Sequence, residues 1–394
     1  MRGRKREGGC KSGHMDKQFD YWYGGHGHLT FYPKTKHKIF KNARAGTQIE
    51  ILDEGMMNFL NPNEAFLDGA RQFLKRRPSD KPFCLLVNFN VPHSAGTRSM
   101  KKLPSDPELY RTTYRDKIDA MPIPETYIVK KDIVTPKIPR NAYSGKYLSS
   151  YAYVKTLATL REHEVRECQT ITGIDHLVGH LVDELTRQGL ADNTIIVYSS
   201  DHGIQHGEHG LGGKVLLYEE SIRVPIIIYD PRLPEKSRGR RISQFALNVD
   251  LAPTLLDLCG VKAPDGIQGR SLAPLMRGEN VDWRDDFFCE NMFMGQNYPR
   301  IEAIRNKQFK YIRYFDKKKD KAHHISLTAS ICGEKPVYEE LFDLQSDPKE
   351  TTNLAQVEAH ADTLSKLRLR CQELVSELRG DDPPDTHRGK QGKK

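Results

Sequence analysis

The apolar positions of the chain fall into short continuous runs and one helical stripe. Residues 194–200 and 224–229 are short, β-branched and continuous, which predicts strands buried on both faces of a mostly parallel sheet. Residues 82–91 give a third such run. Between residues 172 and 188, apolar side chains recur at i, i+3, i+4, i+7, i+8 and i+11, which predicts an amphipathic helix that ends at Gly189. A helix is also predicted at 61–77, and helix followed by strand, seen twice, indicates an α/β fold.

The pattern changes after residue 282. Short runs at 286–291, 309–315 and 338–344 alternate with charged turns, and a last helix carries leucines from 364 to 378. They predict a small antiparallel sheet packed by a helix. We therefore expect a basic start at 1–15, an α/β domain at 16–282, a C-terminal subdomain at 283–380 and a disordered tail at 381–394. Residues 97–145 are polar and aperiodic and predict a long surface excursion.

Composition narrows the function classes. The net charge is +9 over 394 residues, but residues 1–11 supply +4 and residues 379–394 supply +2, so the body is nearly balanced. This distribution argues against a nucleic-acid binder. No window is apolar enough for a membrane span, and the basic start is followed by no apolar run, which predicts no signal peptide. Seven scattered cysteines without CxxC spacing indicate neither a zinc site nor a disulfide framework.

Candidate chemistry lies directly after the strand at 194–200. Asp201 and His202 could share one ion, and this donor pair suits Ca²⁺, Mg²⁺ or Mn²⁺; an aspartate capping a turn is the alternative. Lys214, after two glycines, could approach an anion or be solvated. His206 and His209 could be ligands, acid/base groups or water-facing side chains.

The stretch SSDHGIQHGEHGLGGKVLLYEESIRVPIIIYDPR closely resembles the second signature region of type I sulfatases. Further segments look like family segments in family order, and the resemblance covers about residues 9–378. These are FDYWYG, NVPH, GLADNTIIVYSSDHG, DLAPTLLDLCGV, IQGRSLAPLMRGE, IRNKQFKYIRY and ELFDLQSDPKETTNLA.

The resemblance implies an alkaline-phosphatase-like α/β fold with a smaller C-terminal subdomain. It also implies hydrolysis of sulfate esters with one divalent cation, usually Ca²⁺. By position, Asp201 and His202 would be metal ligands and Lys214 would bind the sulfate and the leaving oxygen. The family's lysine motif would survive in CKSGH, with Lys11 as a catalytic group and a displaced His14 at the substrate. Asn90 and His93 would contact substrate in the NVPH segment.

The family's nucleophile is absent from the sequence. It is formylglycine, made from the cysteine of a C-x-P/A-S-R motif, and the cysteine pentapeptides here are CKSGH, CLLVN, CQTIT, CGVKA, CENMF, CGEKP and CQELV. The adjacent aspartates expected near the start of the family fold are also missing there. We therefore expect the chain to begin just before the lysine motif and to be inactive alone.

Three further interpretations remain beside the truncated sulfatase. The chain could be a non-catalytic binder of sulfated glycans, a phosphodiesterase or phosphonate hydrolase of the same superfamily, or, last, a nucleic-acid binder. The expected partner is a sulfated carbohydrate or another sulfate ester, with no nucleic acid and no membrane span; the oligomeric state is left open. The family suggests a periplasmic or extracellular location, which the chain itself does not specify.

Overall fold

The computed structural model describes residues 19–21, 65–89, 92, 108–128, 136–142, 151–291, 298–316 and 333–379. The predicted basic start and the predicted disordered tail lie outside these residues. The chain divides into two compact units, residues 1–123 with 155–194 and residues 124–154 with 195–394. The boundary near residue 282 stays a prediction.

The first unit is helical in its described part. Its α-helices are α1 (Ala65–Arg76), α2 (Glu108–Thr112) and α3 (Leu157–Arg187). Helix α3 begins fifteen residues before the predicted start at 172. Its first turn is capped by Thr156, whose hydroxyl accepts the Thr159 N–H at 3.2 Å, and Gly189 at φ 68° lies two residues after its last residue, Arg187.

The apolar periodicity did not predict the amino-terminal half of α3, because most of the buried side chains in this half are polar. Glu162, Arg166 and Gln169 are all buried. The Glu162 carboxylate accepts from Arg115 Nη1 at 2.6 Å and from Arg166 Nε at 2.7 Å, and Gln169 Nε2 donates to the Thr113 carbonyl at 2.6 Å. Burial of these charges is tolerated because each is paired.

The strand predicted at 82–91 does not form among its described residues, 82–89. These residues have no regular secondary structure and join no sheet, and Leu86 is 60% exposed. The prediction was wrong here because an apolar run becomes a buried strand only where a neighbouring strand and a covering layer are present.

The second unit contains the strands that frame the predicted site. Its strands and α-helices before residue 280 are β1 (Ile196–Ser199), β2 (Gln205–His206), β3 (Gly212–Gly213), α4 (Glu219–Ile222), β4 (Ile226–Tyr229), α5 (Leu251–Leu258) and α6 (Ala273–Arg277). Strands β1 and β4 pair antiparallel, with Ser199 opposite Ile226. Burial of β4 on both faces is not observed within the described residues, since Ile227 and Tyr229 are 59% and 48% exposed.

An antiparallel sheet follows, as the sequence predicted, with four strands where three were predicted. Its strands, in spatial and chain order, are β5 (Asp286–Asn291), β6 (Arg300–Asn306), β7 (Phe309–Phe315) and β8 (Tyr338–Asp343). One face packs on α7 (Ala361–Arg379) through Tyr311, Leu341 and Leu367, and the other packs Ile312 and Phe342 against residues 216–218. Both faces of the sheet are therefore buried, and this burial stabilises the sheet on which residues 216–218, just after the residue 201–214 segment, pack.

Among the residues that the structure describes, no helix has both the length and the apolar character needed to span a membrane. Strand pairing in the described part of the chain is antiparallel throughout its three sheets.

Candidate active site

Asp201 and His202 lie immediately beyond the carboxyl end of β1. Ser199 Oγ donates to the Pro225 carbonyl at 3.0 Å and so ties this end of β1 to β4. Ser200 Oγ donates to the His202 carbonyl at 3.0 Å, which closes the turn. The Asp201 side chain is 84% exposed and that of His202 is 33% exposed. The two side chains are therefore open to a ligand.

Gly203 fixes where this turn sits. Its N–H donates to the Ser221 carbonyl at 2.9 Å. A Cβ at Gly203 would lie 2.0 Å from the Glu220 carbonyl oxygen, closer than any non-bonded contact allows. The backbone after His202 can therefore dock on α4 only because residue 203 has no side chain.

The His202 ring is oriented by its two neighbours. Its Nδ1 lies 2.9 Å from the Gly203 carbonyl, which can only accept, so Nδ1 carries the proton. In the neutral ring Nε2 then presents a lone pair. Lys214 Nζ lies 2.7 Å from Nε2, and Asp201 Oδ2 lies 3.3 Å from it. Two acceptors this close together are stabilised by a cation, which the ammonium supplies in this structure.

Lys214 reaches His202 because a short hairpin presents it. Strands β2 and β3 pair Gln205 with Gly213, and the Tyr153 hydroxyl accepts from the Gly213 N–H at 2.5 Å and donates to the Gln205 carbonyl at 3.0 Å. Gly213 has φ +82°, and a Cβ there would lie 2.6 Å from the Tyr151 ring. Burial lowers the pKa of Lys214, and the nearby Asp201 carboxylate opposes that shift.

The other two histidines of this segment, His206 and His209, are held by contacts within the protein. His209 is 4% exposed, adopts φ 55° and stacks on Tyr218 with ring centroids 4.8 Å apart. Burial lowers the pKa of His209 to about 4, so its ring is neutral at pH 7. The His206 N–H donates to Glu208 Oε2 at 2.5 Å. Both residues belong to the hairpin that carries Lys214.

A buried ionic network supports α4, on which Gly203 docks, and no sequence pattern predicted it. Lys310 is fully buried on β7, and its Nζ lies 2.8 Å from Glu219 Oε1, 2.7 Å from Glu350 Oε1 and 3.2 Å from the Leu217 carbonyl. Burial raises the pKa of Glu219, but the ion pairs with Lys310 and Arg305 outweigh it and leave that pKa below its ordinary value. A lysine inside an alternating strand looks solvent-facing in sequence, and its two acidic partners lie 91 and 40 residues away.

Four residues implied by the resemblance, Lys11, His14, Asn90 and His93, lie outside the described residues. The structure thus brings together Asp201, His202 and Lys214. It adds three residues that position them and that sequence reasoning missed: Gly203, Tyr153 and Lys310.

Comparison with known proteins places this arrangement in a class. One solved structure, of a protein in complex with its substrate D-glucosamine-2-N,6-O-disulfate, aligns with a TM-score of 0.57 at 24% identity over 82% of this chain and 70% of that chain. A phosphonate monoester hydrolase from Silicibacter pomeroyi aligns with a TM-score of 0.62 at 23% identity, over 83% of this chain and 63% of that chain. The fold is the α/β fold of alkaline-phosphatase-like hydrolases.

Sequence comparison gives the family within that class. The sulfatase family model matches residues 2–261, and the model of the N-sulphoglucosamine sulphohydrolase C-terminal region matches residues 207–328. The chain belongs to the sulfatase family. It is 32% identical to an arylsulfatase of Clostridium perfringens over 82% of this chain and 58% of that protein. It is 31% identical to an N-acetylglucosamine-6-O-sulfatase of Bacteroides thetaiotaomicron over 61% of this chain and 39% of that protein. The match thus spans 58% of the arylsulfatase and 39% of the N-acetylglucosamine-6-O-sulfatase.

Proposed function

We propose that this chain carries the cation- and sulfate-binding half of a sulfuric ester hydrolase. The convergence of Asp201 Oδ2 and Lys214 Nζ on His202 Nε2 is the observation that carries the proposal. A carboxylate, a lone-pair nitrogen and an ammonium then meet at one point. This combination binds a cation and an anion side by side, which a metal-assisted sulfatase needs at the sulfate group.

The donor set fits a divalent cation. Asp201 offers an exposed carboxylate, and the Gly203 carbonyl holds the His202 ring in the tautomer whose Nε2 carries a lone pair. We assign these two side chains as ligands of one divalent cation, Ca²⁺ by family resemblance; a hard cation of this kind withdraws charge from a sulfate oxygen when bound. Ca²⁺ takes about six to eight oxygen-rich ligands, so two ligands form only part of its shell.

Lys214 is the proposed sulfate-binding cation. Its ammonium sits within hydrogen-bond reach of His202 and is partly withdrawn from water, where an ionic interaction with an anion gains strength. In the reaction it would hold a sulfate oxygen and neutralise charge developing on the bridging oxygen as the ester bond breaks. Lys11, His14, Asn90 and His93 remain proposals from the family resemblance alone.

The substrate class proposed is a sulfated sugar or an aryl sulfate. The support comes from the two curated relatives, an arylsulfatase and an N-acetylglucosamine-6-O-sulfatase, each more than 30% identical. The phosphonate monoester hydrolase shares the fold at lower identity and supports no separate assignment. Because no cysteine of this sequence stands in a formylglycine motif, we also propose that this polypeptide binds sulfate without turning over an ester.

Calorimetric titration of inorganic sulfate into the full chain in the presence of Ca²⁺ tests the proposal. Binding by the wild type, weakened about tenfold or more in Lys214→Met, is the expected result. Lys262→Met, which removes an exposed lysine elsewhere in the same unit, is the matched control and should bind as the wild type does. Equal sulfate binding by all three proteins would show that Lys214 does not bind the sulfate.

A further inference from the structure

A second cationic feature lies outside the Asp201–Lys214 site. Residues 236–241, here called the basic loop, follow β4 and read KSRGRR. Four of these six residues are cations, and the only acid in residues 235–244 is Glu235, so this stretch has a net charge of +3. Every residue from 235 to 244 is exposed except Ser237.

Most of this charge is not neutralised within the protein. Other arginines of the same unit are paired: Arg232 with Asp230, Arg277 with Glu279 and Arg284 with Asp250. In contrast, Lys236, Arg240 and Arg241 have no carboxylate partner among the residues that the structure describes. A local excess of unpaired guanidinium groups is a favourable surface for an anionic partner.

The basic loop is anchored at both ends, which distinguishes it from a freely moving tail. The Arg238 side chain folds back and donates to the carbonyls of Pro231 at 2.6 Å and Leu233 at 2.9 Å. Beyond the loop, the Phe245 carbonyl accepts from Trp283 Nε1 at 2.8 Å and from Arg284 Nη1 at 3.1 Å. A loop held in one conformation loses less conformational entropy when a partner binds.

Arg240 is placed by the end of α6. A Cβ on Gly278, which follows the last residue of that helix at φ +79°, would lie 2.1 Å from Arg240 Nη1. The guanidinium therefore rests over the carboxyl end of a helix, where the helix dipole favours a cation. This contact fixes the position of Arg240, whereas Lys236 and Arg241 are exposed to solvent.

We propose that the basic loop is a binding surface for a sulfated polysaccharide, separate from the site at Lys214. The choice of a sulfated polymer over another polyanion rests on the proposed function, because a sulfate-ester site gains from holding a polymeric substrate nearby. Guanidinium groups donate in pairs to sulfate oxygens as they do to phosphate, and several cations on a fixed loop engage successive sulfates of one chain.

Heparin is a suitable probe because it is a sulfated polysaccharide of high charge density. The variant Lys236→Ser, Arg240→Ser, Arg241→Ser should bind heparin about tenfold more weakly than the wild type at 0.15 M salt, as expected for three exposed ion pairs. A second variant, Lys236→Ser, Arg241→Ser, leaves the Arg240 contact with α6 intact and should show an intermediate loss. Unchanged thermal unfolding midpoints would show that both variants remain folded.

Three controls make the result decisive. Lys262→Ser, Lys349→Ser, Lys366→Ser removes the same charge from other exposed positions of the unit, and an equal loss of heparin binding there would attribute binding to net charge and overturn the proposal. Lys214→Met should weaken heparin binding less than the loop variants do; loss of binding in this variant with none in the loop variants would place the polymer at the other site and overturn the proposal. Duplex DNA bound more tightly than heparin by the loop would overturn the polysaccharide assignment. Because binding alone is measured, the outcome is independent of whether sulfate binds at Lys214.

Discussion

Lys214 Nζ lies 2.7 Å from His202 Nε2, the same nitrogen that lies 3.3 Å from Asp201 Oδ2. The ammonium thus occupies the acceptor that the proposed divalent cation would use, and the two positive charges would compete for one lone pair. The proposed roles are therefore separable: Asp201 and His202 would bind a cation, whereas Lys214 would oppose a cation and bind an anion. This opposition gives each side chain a different expected effect when it is removed.

Lys214→Met should strengthen Ca²⁺ binding while it weakens sulfate binding. Removal of the ammonium frees His202 Nε2 and abolishes a like-charge repulsion at the site, which predicts a gain in Ca²⁺ affinity of about threefold to tenfold. Calorimetric titration of Ca²⁺ into the full chain measures it, with Lys262→Met as the control. Weaker Ca²⁺ binding in Lys214→Met would contradict the competition inferred from the geometry.

Gly203→Ala should displace the turn that carries Asp201 and His202. A methyl group there would meet the Glu220 carbonyl at 2.0 Å, so the backbone must shift. We expect a loss of about 1–3 kcal/mol in the free energy of unfolding and weaker Ca²⁺ binding. Gly179→Ala is the matched control, because this exposed glycine of α3 has nothing within 4 Å of its would-be Cβ and should gain about 0.5–1 kcal/mol. Urea unfolding of both variants checks the pair, and an unchanged stability in Gly203→Ala would show that the contact relaxes freely.

The sequence indicated the residues of the candidate site but not the residues that position them. Asp201, His202 and Lys214 follow from a strand end and from a motif whose residues are close along the chain. Gly203 was visible as a glycine, yet the reason for it, a carbonyl of α4, lies seventeen residues away. Sequence patterns did not identify Lys310 and Tyr153, because their partners are distant in sequence and a lysine usually faces water.

Glu340 should make stability fall as pH rises through neutrality. Burial raises the pKa of Glu340 to about 7, although hydrogen bonds from Tyr314 and Tyr218 oppose the shift. The folded protein therefore holds this proton more tightly than the unfolded chain, and its contribution to stability is present below the unfolded pKa and lost as pH rises to about 7. Glu340→Gln should remove a slope of up to about 1.4 kcal/mol per pH unit between about pH 5 and 7.

Urea unfolding at pH 5, 6, 7 and 8 measures this slope. The charge of buried Glu350 also raises the pKa of Glu340, and burial raises the pKa of Glu350 itself. Glu340→Gln should therefore flatten the pH dependence of stability without abolishing it. Glu358→Gln, at an exposed position outside the network, serves as the control. An identical pH dependence in wild type and Glu340→Gln would mean that the carboxyl is not protonated in the folded protein near neutral pH.

Apolar periodicity predicted elements that are packed by apolar side chains. It missed elements whose buried side chains are charged. Strands at 286–291 and 309–315 have the predicted bounds, since both faces of their sheet are packed with apolar groups. Strand β6 was missed because its charges looked solvated; Glu302 is instead buried against Arg313 Nε at 2.8 Å on the adjacent strand. The first half of α3 was missed for the same reason, as Glu162 is buried between two arginines. Paired buried charge is the feature that single-sequence patterns do not reveal.

This polypeptide should release no product from a chromogenic aryl sulfate. None of its seven cysteines stands in a C-x-P/A-S-R motif, so the covalent nucleophile of the family has no source in this sequence. Incubation of the purified full chain with 4-nitrophenyl sulfate and Ca²⁺, compared with Lys214→Met as the matched inactive control, measures release. Metal-dependent turnover that Lys214→Met abolishes would require a different nucleophile among the residues of this chain.

Direct titration of Ca²⁺ into wild type, Asp201→Asn and His202→Ala tests the central assignment most closely. The wild type should bind one Ca²⁺, and each variant should bind it at least about tenfold more weakly, because each loses one ligand. Asp265→Asn, at an exposed aspartate elsewhere in the unit, should bind as the wild type does, and thermal unfolding should show that all four proteins are folded. Ca²⁺ binding that is unchanged in both Asp201→Asn and His202→Ala would contradict the assignment of this strand end as the metal-binding half of a sulfatase site.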